Sequence, residues 1–152
     1  MSNKGVTLIE LMIVIGIIGV LSAVSLYSWL GYQNNVNLKT AAGEVMSDIA
    51  SCKQRSVSEG IRYRLTFSAG GNSYTIAADP FTTALTQTKL LTGFGAGLST
   101  ISTTFTMGQL TFLSRGTLSG IGGNVKLGNS RGSEATITVN VTGRTNVSFT
   151  MR

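Results

Sequence analysis

One carboxylate in this chain sits where a carboxylate is costly. Glu10 lies inside the apolar run Gly5-Val6-Thr7-Leu8-Ile9-Glu10-Leu11-Met12-Ile13-Val14-Ile15. A charge placed in a bilayer costs about 2.5–3.5 kcal/mol on insertion scales. The chemistry open to such a residue is charge pairing. A cation carried by a neighbouring helix offsets the cost, and an unmatched partner leaves it standing.

The other residue types argue against catalysis. There is no histidine, which removes the commonest general base and metal ligand. Cys52 is the one cysteine, so no intrachain disulfide can form. Beyond Gly60 the acids are Asp79 and Glu134, and nothing in the sequence brings them to one cleft. Serine and threonine are plentiful, but a nucleophile needs an activating base. No phosphate loop or metal-ligand spacing occurs. No catalytic residue, metal or cofactor is expected. The chain is basic, with 12 Lys and Arg against 6 acids. Scattered positive charge is usually a solvated surface. The functional alternatives are nucleic acid, an acidic protein or anionic lipid.

The elements that must position Glu10 follow from the pattern. Leu11 to Leu30 carries no charged side chain, enough for a membrane-spanning helix of about 20 residues. Lys4 and the initiator amine favour a cytoplasmic N-terminus, which puts the rest of the chain outside the cytoplasm. A cleaved signal peptide with a site near Ala23-Val24-Ser25 and a plain single-pass anchor are the alternatives. Both leave Glu10 unexplained. Gly16, Gly19, Ser22 and Ala23 would let helices approach closely.

Past Gly31 the helical period persists. Leu38, Ala42, Val45, Ile49 and Cys52 fall on one face, while Lys39, Glu44, Asp48, Lys53 and Arg55 lie off it. Glu59-Gly60 makes a stop, with glycine at the C-terminal cap. One helix from Val6 to Glu59 would be about 80 Å long. Strands are expected at Arg62–Phe67 and Ser73–Ala78 around the turn at Ser68–Asn72, and at Gln109–Leu113 and Asn124–Leu127. At the end, Ile137, Val139 and Val141 alternate with polar residues, as do Val147, Phe149 and Met151. Thr142-Gly143-Arg144-Thr145 would join these two strands as a hairpin loop. Asp79 to Thr106 reads as loops with at most a short strand. The expected fold class is α+β: a long N-terminal helix whose Leu38–Cys52 stripe covers one face of an antiparallel sheet.

Gly5, then Val6-Thr7-Leu8-Ile9-Glu10, then an apolar helix resembles the type IV pilin superfamily. Val6 stands where phenylalanine is most usual. Ala42-Gly43-Glu44-Val45-Met46 and Ser56-Val57-Ser58-Glu59-Gly60-Ile61 look like the helix end of the GspH/FimT-like minor pseudopilins. Leu110-Thr111-Phe112-Leu113-Ser114-Arg115-Gly116 and Ile137 to Arg144 are similar to that group's later strands. The resemblance implies a type IV pilin-like fold. It also implies cleavage by a prepilin peptidase between Gly5 and Val6, methylation of the Val6 amine, and Glu10 as the carboxylate that pairs with a neighbour's amine in the filament.

The implied organisation is a leader at 1–5, a membrane and filament-core helix at 6–30, its amphipathic continuation at 31–60 and a β domain at 61–152. The chain would sit in the bacterial inner membrane with its C-terminal domain periplasmic until drawn into a filament. The first function implied is a minor pseudopilin of type II secretion, acting in filament initiation or at the tip. Its partners would be other pseudopilins, an inner-membrane platform with its ATPase, and secreted substrates. The alternative is a minor type IV pilin, with DNA uptake as one role. DNA-binding members of the family carry Gly-Arg-x-Arg, whereas this chain has Gly143-Arg144-Thr145-Asn146. Arg144, Arg115, Arg131 and Arg152, with Lys126, are the candidate contacts for DNA or a partner.

Overall fold

Thr7 starts the long helix α1 (Leu8–Glu59). Its hydroxyl oxygen accepts from the Glu10 amide at 3.3 Å, and its carbonyl accepts from the Leu11 amide at 3.2 Å. Thr7-x-x-Glu10 is the spacing of a capping box, so an amide without an intrahelical partner is satisfied locally. The helix ends at Gly60, whose φ of +70° is left-handed and suits a glycine cap. The computed structural model describes residues 7–82, 85–95 and 97–152, and it leaves the side chains of 23–30 undescribed. The chain forms two compact units, Met1–Gln33 and Asn34–Arg152.

In the first unit the helix is apolar all round. Ile9, Met12, Ile13, Val14, Ile15 and Ile17 point in directions around the full circle, and each is at least 50% exposed. Helices of this kind belong in lipid or against other helices. Among the described residues no helix is long and apolar enough to cross a membrane. The run with described side chains stops at Ser22, and the expected span at 6–30 extends beyond it.

The second unit holds the core. Leu38, Ala42, Val45, Ile49 and Cys52 are all buried, as the stripe requires. Burying Leu38, Val45 and Ile49 contributes roughly 1.5–3 kcal/mol each. Two four-stranded antiparallel sheets share that core with the helix. The first contains β1 (Tyr63–Phe67), β2 (Ser73–Ala78), β3 (Thr86–Leu90) and β5 (Gln109–Phe112), in the order β3-β2-β1-β5. The second contains β4 (Ser99–Thr103), β6 (Gly123–Gly128), β7 (Glu134–Val139) and β8 (Thr145–Thr150), in the order β4-β6-β7-β8.

The α+β class and the antiparallel pairing therefore hold, with corrections. The β region makes two sheets where one was expected. Residues 79–106 also supply β3 and β4, each an outer strand of its sheet. Outer strands bury less, so their sequence need not alternate cleanly. Three strands also stop short of their expected ends, at Phe112, Val139 and Thr150. The last hairpin loop spans 140–144, and Thr145 pairs with Val139 as the first residue of β8.

Polar contacts join the helix to both sheets. The Tyr74 hydroxyl donates to Asp48 at 2.5 Å, and the Lys89 ammonium donates to Asp48 at 2.7 Å and Glu44 at 2.9 Å. These tie α1 to the first sheet. On the second, the Ser133 hydroxyl donates to Asn35 Oδ1 at 2.8 Å and the Asn129 amide group to the Asn34 carbonyl at 3.2 Å.

Candidate functional site

Glu10 stands in the first turn of α1, three residues past its cap. A negative charge there complements the exposed amides of a helix N-terminus. That local role was legible in the Thr7-x-x-Glu10 spacing, and the sequence reading above did not use it. Among the described residues no cation lies within ion-pair distance of Glu10. Its neighbours Leu8, Ile9 and Leu11 are exposed apolar side chains. Gly5 and Val6, the expected cleavage and methylation residues, lie outside the described residues. Nearby, a shallow dent of about 320 Å³ opens at Gly16, between Ile13, Ile17 and Val20. The missing side chain of Gly16 makes the dent, and its dimensions suit a side chain from a neighbouring helix.

The candidate arginines form two separate pairs. Gly143 and Gly116 are neighbours: a Cβ on Gly143 would stand 3.1 Å from the Gly116 carbonyl and 3.0 Å from Lys53 Cδ. Arg144 and Arg115 therefore flank one spot near the C-terminal end of α1. There the Lys53 ammonium donates to the Thr142 carbonyl at 2.9 Å. A groove of about 630 Å³ runs beside it, lined by Ala50, Lys53, Val57 and Arg144 among others.

The other pair sits at the far end of β8. The Arg152 side chain reaches Gly132, next to Arg131, and the Arg152 amide donates to Ser133 Oγ at 2.9 Å. Among the described residues, the guanidinium groups of Arg131, Arg144 and Arg152 meet no carboxylate. Arg115 donates to the Thr117 hydroxyl at 2.9 Å. Lys126 is set apart, 3.3 Å from Glu134. The structure thus brings the backbone beside Arg115 to that beside Arg144 and the Arg152 side chain to the residue after Arg131, at two separate places.

The remaining reactive groups are engaged or buried. Asp79 takes Arg62 at 2.9 Å on the first sheet, and Glu134 takes Lys126 on the second, so the two carboxylates share no cleft. Burial pushes the Cys52 thiol up to about 12, helped by the charge of Asp48.

Residues 1–26 match the family described as the prokaryotic N-terminal methylation motif. No curated protein matches the chain. Among solved structures, the fold is similar to the type IV minor pilin FimU of Pseudomonas aeruginosa (strain PAO1) in two crystal forms. One has a TM-score of 0.60 at 19% identity, covering 77% of this chain and 92% of that one. The other has a TM-score of 0.57 at 17% identity, covering 73% and 92%. At such identity the likeness is one of fold. The fold class is pilin-like: a helix exposed along its apolar N-terminal part and packed further on against antiparallel sheets. The N-terminal motif and the fold are both similar to those of the type IV pilin superfamily.

Proposed function

We propose that this chain is a non-enzymatic minor subunit of a type IV pilus. It is held in the inner membrane by residues 6–30, with residues 61–152 on the periplasmic side. A prepilin peptidase removes residues 1–5, and the new Val6 amine is methylated. Assembly then follows from electrostatics. The Glu10 carboxylate pairs with the terminal amine of a neighbouring subunit, which offsets the cost of both charges in apolar surroundings. Pairing across subunits also sets the axial stagger, because any other register leaves a charge unmatched.

The observation that carries this reading is Glu10 itself. It is a carboxylate without a cation of its own among the described residues, on a helix with exposed apolar side chains on every side. The Gly16 dent supports helix-to-helix packing on the same segment. The test is Glu10→Leu in the full chain. The variant is expected at normal level in the membrane fraction but depleted from sheared filaments, and normal incorporation would sink the reading.

A second reading is a minor pseudopilin at the tip of a type II secretion pseudopilus. The resemblance of Ala42–Met46 and Ser56–Ile61 to the GspH/FimT-like helix end favours it. Likeness to FimU favours the pilus. Deleting the gene separates the two: loss of surface pili supports the first, and loss of secreted folded proteins with pili intact supports the second.

A further inference from the structure

Each sheet has two outer strands, and three of the four edges are blunted. The outer edge of β5 is covered by its own chain: the Ser119 amide donates to the Thr111 carbonyl at 2.8 Å, and Leu118 bridges Phe112. The edge of β4 is occupied in the same way. The Gly70 amide donates to the Thr100 carbonyl at 2.7 Å and the Thr100 amide to the Gly71 carbonyl at 2.8 Å, and the ladder shifts beyond Thr100. The β3 edge carries a charge, Lys89, whose ammonium is drawn onto Asp48 and Glu44 of α1. Cover, bulge and charge are the usual means by which proteins stop strands from pairing with other chains.

Among the described residues, the edge at β8 has none of them. Its sequence, Thr145-Asn146-Val147-Ser148-Phe149-Thr150, holds no charge and no proline, and all six residues pair with β7 without a shift. The Asn140 amide donates to the Arg144 carbonyl at 2.9 Å, which fixes the alternation along the ladder. Residues 146, 148 and 150 therefore turn their backbone groups toward β7. Thr145, Val147 and Phe149 turn theirs outward, where no partner lies among the described residues. Phe149 is also 39% exposed.

Charge frames this edge at both ends. Arg144 precedes β8, and Arg152 follows it with Arg131 alongside. A second copy of β8 laid antiparallel would bring Arg144 against Arg152 of its mate, and a parallel copy would set arginine against its own kind. Like charges oppose both arrangements, so self-pairing is disfavoured although the edge is open.

We infer that β8 is a strand-addition site for a different protein. Its ligand is an extended segment, uncharged over the length of β8 and carrying carboxylates at its two ends. The segment's backbone meets the outward groups of Thr145, Val147 and Phe149, in the manner of peptides that extend a sheet. Its carboxylates meet Arg144 at one end and Arg131 with Arg152 at the other. The inference does not depend on the filament reading, because it concerns the folded unit Asn34–Arg152 alone.

The test uses the full chain in detergent micelles and two synthetic peptides that share an alternating valine–threonine centre. One peptide ends in glutamates, the other in lysines. Amide hydrogen exchange is read at Thr145, Val147 and Phe149. The glutamate peptide is expected to slow exchange there by about tenfold when it is in tenfold excess over its dissociation constant, and the lysine peptide to leave it unchanged. In the triply substituted Arg131→Glu, Arg144→Glu, Arg152→Glu chain the preference reverses. All three residues are exposed, so the fold survives the exchange. The inference is overturned if neither peptide slows these amides or if both do so equally. It is also overturned if raising the protein concentration alone gives the protection, or if a DNA duplex gives it and the glutamate peptide does not.

Discussion

The Lys53 ammonium on α1 donates to the Thr142 carbonyl in the last hairpin, 2.9 Å away across 89 residues of sequence. This contact holds the 140–144 loop against the helix, and it depends on Gly143. Gly143 has φ +72°, and a Cβ there would stand 3.0 Å from Lys53 Cδ and from the Phe112 ring. Gly143→Ala is therefore expected to destabilise the folded unit by about 1–3 kcal/mol, through a left-handed backbone and a tight contact together. Denaturant unfolding measures it, and an unchanged midpoint would contradict the packing described.

Asp48 accepts from both Tyr74 and Lys89. Asp48→Ala leaves the mostly buried Tyr74 hydroxyl without its acceptor, while Lys89 keeps Glu44. A loss of about 1–3 kcal/mol is expected. Tyr74→Phe in the wild-type background should cost less, because it removes donor and need together. Equal losses for the two variants would mean that the Tyr74–Asp48 hydrogen bond is not what Asp48 contributes.

Alkaline pH should weaken the fold through Cys52 and Tyr74. Burial raises the Cys52 thiol from 9.0 to about 12, and burial with the hydrogen bond to Asp48 raises the Tyr74 phenol. Below pH 9 the thiol is protonated whether the chain is folded or not, so it has no effect on stability. Above pH 9 the unfolded chain ionises and the folded one resists, so stability falls as pH rises from 9 to about 12. Thermal unfolding across that range checks the direction. At neutral pH the thiol is expected to resist alkylation until the chain unfolds.

Processing gives a prediction for the N-terminus. Mass spectrometry of the mature protein should find a methylated Val6 as its first residue, and Gly5→Asp should leave the leader attached. An intact Met1 or Ser2 in cells with active peptidase would contradict both the cleavage and the assembly mechanism.

Much of this was legible in the chain because its period is local. The Leu38–Cys52 stripe, the stop at Gly60 and the strands β1, β2 and β7 follow from spacing that each element repeats within itself. β3 and β4 were not legible: their residues are mostly exposed or half-buried, and neither strand alternates apolar with polar residues. The grouping of the arginines was equally hidden. Arg115 and Arg144 are 29 positions apart in sequence, and their loops touch through Gly116 and Gly143.

The sequence alone determined the costly carboxylate at Glu10, the apolar helix around it and the amphipathic stripe beyond, since charge, hydropathy and period are properties of neighbouring residues. Only the tertiary structure decided that the β region divides into two sheets, that three edges are blunted and that β8, among the described residues, stays uncovered between arginines. Strand order and edge cover arise from contacts between residues far apart in the chain, and no local pattern encodes them.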